Sequence, residues 1–503
     1  MFKLNIKSGG KKILYKPLSI SLKYMIDEKN LEKSFFSLEK VFHLKLSKLQ
    51  RKNFLVKNGS EIRITKPEGK PDALILSKVK VNDNLSSDYF RNHLAGLIKS
   101  LSKEEVKNLH IFIPSYKAVK KYFNSELYYY QTFAEGLMLG NYSFDKFKED
   151  KKKPKDLSVF FYADNEKLLK TAIKNANNLM QGVNFTKDLQ NEPASSLRPF
   201  ELAKRVKSMF AGTGVRVIVF DDAECKRRKM GGLLAVGKGS TSKPRFIILK
   251  YKPATKSKKR RLKKVALVGK GVTFDSGGVC VKPPAGMKEM KGDMSGAAVV
   301  AGTLLAASKA KLQVEITGII PAAENMISGE AMRVGDVVKT ASGKTIEVGH
   351  TDAEGRMILA DALDYASKIK PNEIIDFATL TGACVVALGQ NAAGLFTKND
   401  ELAKELNNAG ANTYDRVWRL PMWDEYHKDN ESKVADVAND GGRWGGAIIA
   451  AKFLENFVDK DIPWAHIDIA GPATAHDLNN YTKTYMTGFG VRLMFEYLGY
   501  LKY

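Results

Sequence analysis

The sequence predicts an α/β protein in two parts: a small N-terminal α/β domain followed by a larger α/β domain with a mostly parallel central sheet. Three observations predict this arrangement. The chain has 503 residues, which is too long for one ordinary domain. From residue 190 onward, strand patterns rich in Val and Ile alternate with helical patterns, as they do in parallel sheets. A charged, proline-containing run over 148–156 separates the two regions.

The N-terminal domain, which we place at 1–155, is predicted from short strand and helix patterns in alternation. The lysine-rich start carries alternating apolar residues and predicts a first β-strand and hairpin. Two apolar runs predict buried strands, and two longer segments predict helices. These are ALILSKVKV (73–81) and NLHIFIP (108–114) for the strands, and YFRNHLAGLIKSL (89–101) and LYYYQTFAEGLMLGNY (127–142) for the helices.

After the charged run, DLSVFFYA (156–163) predicts a strand, and 165–191 has apolar residues at helical spacing. We assign 156–190 as a linker helix and 191–503 as the second domain. Six segments predict strands of its central sheet. They are VRVIVF (215–220), RFIILKY (245–251), KKVALVG (263–269), EITGIIP (315–321), EIIDFATLT (373–381) and AHIDIAG (465–471).

Composition excludes several classes of protein. A hydrophobic fraction of 44% and a mean hydropathy of −0.27 suit a soluble protein, and no apolar run approaches the ~20 residues of a membrane helix. Cys225, Cys280 and Cys384 are far apart and odd in number, which argues for a reducing compartment and against a disulfide scaffold. The start lacks the features of a secretory signal. We therefore expect a cytoplasmic protein that does not associate with membranes.

The net charge of +26 is high for a metabolic enzyme. Residues 1–155 hold 32 Lys and Arg against 16 Asp and Glu, so the excess is concentrated there. Such a charge can attract nucleic acid, or it can reflect lysines on solvated faces. We favour solvated faces, because the lysines are scattered and are not interleaved with aromatic residues as in single-strand binders. Nucleic-acid binding stays open as an alternative.

Two segments, 268–298 and 349–363, concentrate the residues with chemical potential. They supply four carboxylates, two lysines and an arginine: Lys270, Asp275, Lys282, Asp293, Asp352, Glu354 and Arg356. Lys270 follows the apolar run VALV, so we expect it at the carboxyl end of a strand, where ligands gather in open α/β sheets. Asp352, Glu354 and Arg356 alternate, so an extended segment would present all three on one side.

Four carboxylates without a cation would repel one another, and two divalent metal ions would remove that repulsion. Lys270 could ligate a metal only when neutral, which requires nearby dications to lower its pKa. Lys282 would then remain a cation facing a polarised carbonyl. His350 adjoins the acidic residues and is either a ligand or, as we favour, a structural neighbour. The lysine–carboxylate set makes metal-assisted hydrolysis the leading hypothesis. Because GxxxxGK[ST], GxSxG and HExxH are absent, a phosphate loop, a serine nucleophile elbow and a zincin are weaker alternatives.

These segments closely resemble the leucyl aminopeptidase (cytosol aminopeptidase) family. The resemblance is carried by VGKGVTFDSGG, MKGDMSGAA and HTDAEGR, where the family typically has NTDAEGR. Further matching segments, from KDLQNEPA (187–194) to MTGFGVR (486–492), extend it over nearly everything from about 185 onward. The resemblance implies a macro-like N-terminal domain and a catalytic dinuclear metallopeptidase domain over 191–503.

The resemblance also implies an activity and a site. The activity is removal of N-terminal residues, preferably Leu and other apolar residues, by a water activated between two divalent ions per subunit, Zn²⁺ or Mn²⁺ or both. The implied metal ligands are Lys270, Asp275, Asp293, Asp352 and Glu354. The implied catalytic cations are Lys282 and Arg356, with bicarbonate near Arg356. The implied substrate-binding residues are Met290, Thr379, Leu380, Gly382 and Met486.

The family further implies peptide substrates with a free N-terminus, a role in peptide catabolism and a homo-hexamer. The sequence departs from the family pattern at four places, none of which removes a ligand or catalytic cation. They are His350, Ser295, Val334 and Phe489-Gly490. Two alternatives remain open: a DNA-binding or regulatory protein, and an inactive structural member of the family.

Overall fold

The structure, a computed structural model, describes residues 1–10, 17–26, 35, 39–40, 45–56, 61–65, 72–79, 81, 85–150, 153–254, 262–474, 478–483 and 485–500. The chain divides into two compact units. One comprises Met1–Met180 with Asn479–Tyr481, and the other Gln181–Leu478 with Thr482–Tyr503. Among the described residues, no helix combines the length and apolar character needed to span a membrane.

The first unit is built on a six-stranded sheet. Its strands are β1 (Phe2–Ser8), β2 (Ser19–Met25), β3 (Glu61–Thr65), β4 (Ala73–Lys78), β5 (Asn108–Phe112) and β6 (Lys155–Tyr162). The order across the sheet is β1-β6-β5-β2-β4-β3, and all neighbours are parallel except β3 and β4. Its helices are α1 (Lys48–Val56), α2 (Tyr89–Leu101) and α3 (Glu126–Gly140), with short 3₁₀ turns at Tyr116–Ala118 and Lys120–Tyr122.

β1 and β2 do not form the predicted N-terminal hairpin, and residues 11–16, which the prediction also covers, lie outside the described residues. β1 and β2 run in the same direction and are separated in the sheet by β6 and β5. Alternating apolar residues identify a strand, but they do not specify its partner. β1 lies at the sheet edge and alternates between exposed and at least partly buried residues, whereas β2 lies inside the sheet and is buried on both faces.

The second unit contains a nine-stranded sheet and a small three-stranded sheet. The large sheet consists of β7 (Arg216–Phe220), β8 (Arg245–Tyr251), β9 (Lys264–Gly269), β10 (Gly271–Asp275), β11 (Glu315–Asn325), β14 (Glu373–Ala378), β15 (Ala393–Phe396), β16 (Val417–Arg419) and β18 (Trp464–Asp468). Its order is β16-β15-β18-β14-β9-β11-β8-β7, with β10 beside β11. The small sheet joins β12 (Val337–Lys339), β13 (Thr345–Glu347) and β17 (Val437–Ala438).

Helix α4 (Glu166–Asn191) begins in the first unit and ends in the second. The further helices of the second unit are α5 (Pro199–Met209), α6 (Asp222–Arg227), α7 (Gly231–Gly237), α8 (Pro284–Met287), α9 (Ser295–Ala310), α10 (Glu354–Lys368), α11 (Gly382–Leu388), α12 (Asp400–Thr413), α13 (Gly446–Glu455), α14 (Ala470–Ala473) and α15 (Val491–Tyr500). Short 3₁₀ segments lie at Ala194–Ser196, Lys288–Gly292 and Asp424–Asn430.

The predicted fold class is confirmed, since both units are α/β and the central strands β9, β11, β14 and β18 are mutually parallel. All six predicted strands of the second domain are strands of its large sheet. The exact domain boundaries stay predictions. The helical part of the predicted linker begins at Glu166, because Lys155–Tyr162 instead pairs with β1 and β5.

Helices α4 and α9 cross closely within the second unit, where two glycines remove the side chains between them. A Cβ built on Gly302 would lie 2.0 Å from Thr186 Oγ1 and 2.6 Å from the Gly182 carbonyl oxygen. Thr186 Oγ1 also donates a hydrogen bond to the Ala298 carbonyl at 2.9 Å. The crossing therefore depends on glycine at 302.

We predict that Gly302→Ala lowers the apparent melting temperature, because overpacking of this kind costs about 1–3 kcal/mol. The matched control is Gly499→Ala in α15, where no atom lies within 4 Å of the built Cβ. Since alanine is favoured over glycine in helices, the control should melt at or above the wild-type temperature. Differential scanning calorimetry checks both, and equal melting temperatures for the two variants would contradict the close crossing.

Candidate active site

The two segments with predicted chemistry converge at the carboxyl ends of neighbouring strands. Lys270 directly follows β9, Asp275 is the last residue of β10, and Thr379 directly follows β14. Because β9 and β14 are parallel neighbours, both end at the same edge of the sheet. A cavity of about 580 Å³ opens at this edge, a size that suits a small ligand.

The structure brings all but one of the predicted site residues to this cavity. Those that line it are Lys270, Asp275, Lys282, Met290, Asp293, Asp352, Glu354, Arg356, Thr379, Leu380 and Gly382. Met486 is not among the lining residues. It is buried behind Gly292, where a built Cβ would lie 2.2 Å from Met486 Cε. Met486 thus supports the wall, and its role in substrate binding stays a prediction.

The helices α9 and α10 begin beside the acidic residues of the site. α9 starts two residues after Asp293, and its Gly296 lies so close to β14 that a Cβ there would be 2.0 Å from the Phe377 carbonyl oxygen. α10 starts at Glu354 itself. The amino-terminal end of a helix carries partial positive charge, which favours the acidic side chains placed there.

The predicted extended geometry of Asp352, Glu354 and Arg356 is wrong. Only Asp352 precedes the helix, while Glu354 and Arg356 lie in the first turn of α10. The preceding strand ends at Glu347, and the apolar spacing after residue 354 is helical. All three residues still reach the cavity, because α10 meets it with its amino-terminal end.

Asp275 is held so that one of its oxygens is fully engaged and the other faces the cavity cations. Its Oδ1 accepts hydrogen bonds from the Gly277 amide at 2.9 Å and from Asn325 Nδ2 at 2.8 Å. Its Oδ2 lies 2.8 Å from Lys282 Nζ. Asn325 therefore fixes which oxygen of Asp275 points inward.

Lys270 is buried between two carboxylates. Its Nζ lies 2.8 Å from Asp293 Oδ1 and 2.8 Å from Glu354 Oε1, and it donates to the Thr379 carbonyl at 3.0 Å. Thr379 Oγ1 donates in turn to Asp293 Oδ1 at 2.8 Å. The lysine thus links the strand β9, the start of α9, the start of α10 and the turn after β14.

Lys282 makes the equivalent contact on the other side of the cluster. Its Nζ lies 2.8 Å from Asp275 Oδ2 and 2.5 Å from Asp352 Oδ1. Its side chain remains 18% exposed, whereas that of Lys270 is 3% exposed. Lys282 is therefore the lysine of the pair that solvent or a bound molecule can reach.

The cluster perturbs the protonation of its members. Burial first, and then the charge of Asp275, raise the pKa of Glu354 to about 8. Burial also raises the pKa of Asp293 to about 6, against the opposing charge of Lys270. Burial disfavours the ammonium of Lys270, but Asp293 and Glu354 outweigh it and raise the pKa of that lysine. The protein's own cations therefore leave the carboxylate charge incompletely compensated.

The donor set fits divalent metal ions. Oxygens of Asp275, Asp293 and Glu354 lie within 4.8 Å of one another, so the three carboxylates are close enough to bind the same cation. Among the described residues, Asp293 Oδ2, Asp352 Oδ1 and both oxygens of Glu354 have no hydrogen-bond donor in suitable geometry, although lysine ammoniums lie near three of them. Carboxylate oxygens of this kind are ligands for hard and borderline divalent metals.

Arg356 extends from α10 to the segment after β17. Its Nη1 donates a hydrogen bond to the Asn439 carbonyl oxygen. The Asn439 side chain accepts from the Gly349 amide at 2.8 Å and donates to the His350 carbonyl at 2.9 Å. His350 Nδ1 accepts a hydrogen bond from the Asp352 amide at 3.1 Å. The imidazole of His350 therefore supports the backbone of the acidic segment at Asp352.

Sequence reasoning missed two buried residues that hold the site together. Asn325, at the end of β11, donates to Asp275 Oδ1 and also to the Thr351 carbonyl at 3.1 Å, so it joins the two predicted segments. Asp468, at the end of β18, accepts from the Leu380 amide at 3.1 Å and from Thr381 Oγ1 at 2.8 Å. The available signal was their position, since each closes an apolar strand pattern at the sheet edge that carries the site.

A second acidic group lies away from the cavity and differs from the first in how its carboxylates are paired. Asp424, His427 and Glu455 also present ligand atoms within 4.8 Å of one another. There, however, Lys398 and Lys452 both contact Asp424 Oδ1, at 2.7 and 3.0 Å, and both contact Glu455. Because its carboxylates are already paired and Asp424 is exposed, this group has the character of a surface ion-pair network.

The two-part α/β fold carries, at its strand ends, a buried lysine–carboxylate cluster whose oxygens suit divalent metal ions. Comparison with family models identifies the class of protein. The model of the cytosol aminopeptidase family, catalytic domain, matches residues 184–495, and that of its N-terminal domain matches 28–151. The chain belongs to the cytosol aminopeptidase family, so it is a peptidase, and the resemblance predicted from the sequence is confirmed.

Individual relatives agree with this assignment. A probable cytosol aminopeptidase of Chloroherpeton thalassium is 44% identical over 435 residues, which cover 83% of this chain and 84% of the relative. One from Aquifex aeolicus is 42% identical over 449 residues, covering 89% and 88%. A solved structure, the bottromycin maturation enzyme BotP in complex with Mn, has a TM-score of 0.82 at 31% identity and covers 97% of this chain and 100% of its own.

We predict that the metal-free protein loses stability as pH rises from about 4.5 to 8. Over this range the unfolded chain has released the Glu354 proton while the folded protein, with its raised pKa of about 8, still holds it. The free energy of unfolding therefore decreases as pH increases. Glu354→Gln removes this contribution, so its decline should be shallower.

The measurement is the melting temperature in chelator at pH 5, 6, 7 and 8. Glu455→Gln, in the surface ion-pair network, is the matched control and should keep the wild-type slope. Parallel profiles for wild type and Glu354→Gln would show that the protonation of Glu354 does not differ between the folded and unfolded states.

Proposed function

We propose that this protein is a metal-dependent aminopeptidase that removes N-terminal residues from peptides. The observation that carries the proposal is the buried cluster of Asp275, Asp293 and Glu354, whose oxygens lie within 4.8 Å of one another. Membership of the cytosol aminopeptidase family supports it. The intact ligand set argues against the alternative of an inactive structural paralogue.

We assign two divalent ions, Zn²⁺ or Mn²⁺, to this cluster. Lys270, Asp275, Asp293 and Glu354 would hold one, and Asp275, Asp352 and Glu354 the other. When bound, the ions would supply an activated water and polarise the scissile carbonyl. The solved relative was described in complex with Mn, which supports this choice of metals. For Lys270 to act as a ligand it must give up its proton, in contrast to its ion-paired state beside Asp293 and Glu354.

The residues of the cavity suggest how a peptide is oriented. The free α-amine would approach the acidic side of the cluster near Asp293, which restricts the enzyme to N-terminal residues. Met290, Leu380 and Gly382 offer apolar surface around it. This supports a preference for Leu and other apolar N-terminal residues.

Two cations are assigned to the chemical step. As water attacks the carbonyl carbon, negative charge develops on the carbonyl oxygen, and the ammonium of Lys282 would stabilise that charge. Lys282 suits this role because it is the more exposed of the two lysines in the cluster. We assign to Arg356 the binding of bicarbonate, which would accept the proton of the attacking water and pass it to the departing amine.

We further propose a homo-hexamer in the cytoplasm that contributes to peptide catabolism. Large apolar side chains on the surface support self-association, since Trp418, Trp423 and Trp444 are 63%, 65% and 79% exposed. Free cysteines support a reducing compartment, with Cys225 and Cys384 buried and unpaired. Light scattering that gives a monomer would contradict the hexamer.

Hydrolysis of Leu-amide and Leu-Gly tests the proposed function, with N-acetyl-Leu-amide as the control substrate. We expect the chelated protein to be inactive, Mn²⁺ or Zn²⁺ to restore cleavage, and the acetylated substrate to resist it. Cleavage of the acetylated substrate, or full activity without metal, would contradict the proposal. Absence of any cleavage by metal-loaded protein would turn attention to DNA binding, measured as a function of salt.

We predict that Lys282→Ala retains its metals but loses most turnover. The ammonium would act mainly on the developing oxyanion, so kcat should fall roughly 10²–10³-fold, as for removal of an oxyanion-stabilising donor. Metal content by inductively coupled plasma mass spectrometry and steady-state kinetics on Leu-amide provide the two readings. Loss of bound metal in this variant would mean that Lys282 holds the metal site together.

A further inference from the structure

A loop after β17 brings an arginine to the rim of the cavity, and the base of this loop is fixed at the active site. β17 pairs in parallel with β13, so the chain continues from both strands side by side. The Asn439 side chain then bonds to Gly349 and His350, and its carbonyl accepts from Arg356. The loop that follows Asn439 is therefore attached to the segment that carries Asp352 and Glu354.

Glycines shape the loop itself. Its sequence from 439 to 446 is NDGGRWGG, and Gly442 and Gly445 have φ angles of +81° and +63°, in the left-handed region that glycine favours. The adjoining Gly441 has no room for a side chain, since a built Cβ would lie 2.3 Å from Ile449 Cγ2. These constraints present Arg443 at the cavity, where Gly442 and Gly446 also line the wall.

Arg443 differs from the other basic residues of the cavity. Lys270 and Lys282 are each paired with two carboxylates, and Arg356 donates to the Asn439 carbonyl. Arg443 is exposed and makes no ion pair or hydrogen bond with any residue that the structure describes. Its only described contact is with the ring of Trp444, whose centroid lies 5.1 Å from Arg443 Cζ.

We propose that Arg443 binds the C-terminal carboxylate of short peptides, so that the preferred substrates are peptides of two or three residues with both termini free. The inference rests on the proposed aminopeptidase function. Arg443 and the acidic cluster line the same cavity, whose volume of about 580 Å³ suits a small ligand. A guanidinium matches a carboxylate through two parallel hydrogen bonds.

In this arrangement, the two ends of the cavity present complementary groups to the two termini of the peptide. The free α-amine of the peptide would lie at the metal-loaded cluster near Asp293, and the carboxylate end would meet the guanidinium of Arg443. A longer peptide, or one with an amidated C-terminus, keeps the first interaction and loses the second. The ratio of activities on free and amidated dipeptides therefore reports on Arg443.

The test compares kcat/KM for Leu-Gly and for Leu-Gly-amide in metal-loaded wild type, Arg443→Gln, Arg443→Lys and the control Arg227→Gln, which alters an exposed arginine outside the cavity. Wild type and Arg227→Gln should prefer Leu-Gly. Arg443→Gln should lower this preference roughly tenfold, the scale of a charge-assisted hydrogen bond, mainly through a higher KM. Arg443→Lys, which keeps the charge but not the planar geometry, should restore part of it.

Two results would overturn the inference alone: a wild type that cleaves both substrates with equal kcat/KM, or an Arg443→Gln variant that keeps the wild-type ratio. A failure of wild type to cleave either substrate would instead refute the proposed aminopeptidase, and the inference with it. The melting temperature and metal content of each variant distinguish these results from misfolding. We expect both quantities to equal the wild-type values in every variant.

Discussion

Mutual repulsion among buried carboxylates is the constraint on which the rest of the site depends. Asp275, Asp293 and Glu354 bring oxygens within 4.8 Å of one another at the edge of a sheet, and burial disfavours the charged forms of Asp293 and Glu354. Two lysine ammoniums, Lys270 and Lys282, reduce this repulsion by contacting two carboxylates each. The raised pKa values of Glu354 and Asp293 nevertheless indicate that the compensation is incomplete. Divalent ions bound among these oxygens would complete the charge compensation. The same ions would supply the proposed chemistry.

Holding these groups in place requires the surrounding architecture to fix both backbone and side chains. The parallel strands β9 and β14 end at one edge, and the helices α9 and α10 begin there, so four elements meet within the site. Asn325 and Asp468 then fix the connecting turns with buried hydrogen bonds. A functional constellation needs such supporting bonds, because small displacements weaken oriented contacts to a reacting group.

The sequence alone predicted the central strands because each is a run of Val, Ile and neighbouring apolar residues bounded by polar ones. The short strands β15 and β16 were not predicted, since three or four residues carry too little pattern. The charged site residues stood out as acidic and basic side chains among glycines. Their geometry was harder: the segment from 352 to 356 was predicted as extended, although the apolar spacing beyond Glu354 indicates the helix that is observed. A single buried amide such as Asn325 has no periodic signature, so only its contacts identify it.

The most direct test of the central claim is the number of metal ions that the cluster binds. Equilibrium dialysis with Mn²⁺, followed by elemental analysis, should give two ions per chain for wild type. The control variant Glu455→Gln, which alters a residue of the surface ion-pair network, should also bind two. Glu354→Gln should bind fewer, because Glu354 is assigned to both metal sites. A wild-type chain that binds no metal, or a Glu354→Gln variant that binds as many ions as wild type, would contradict the account.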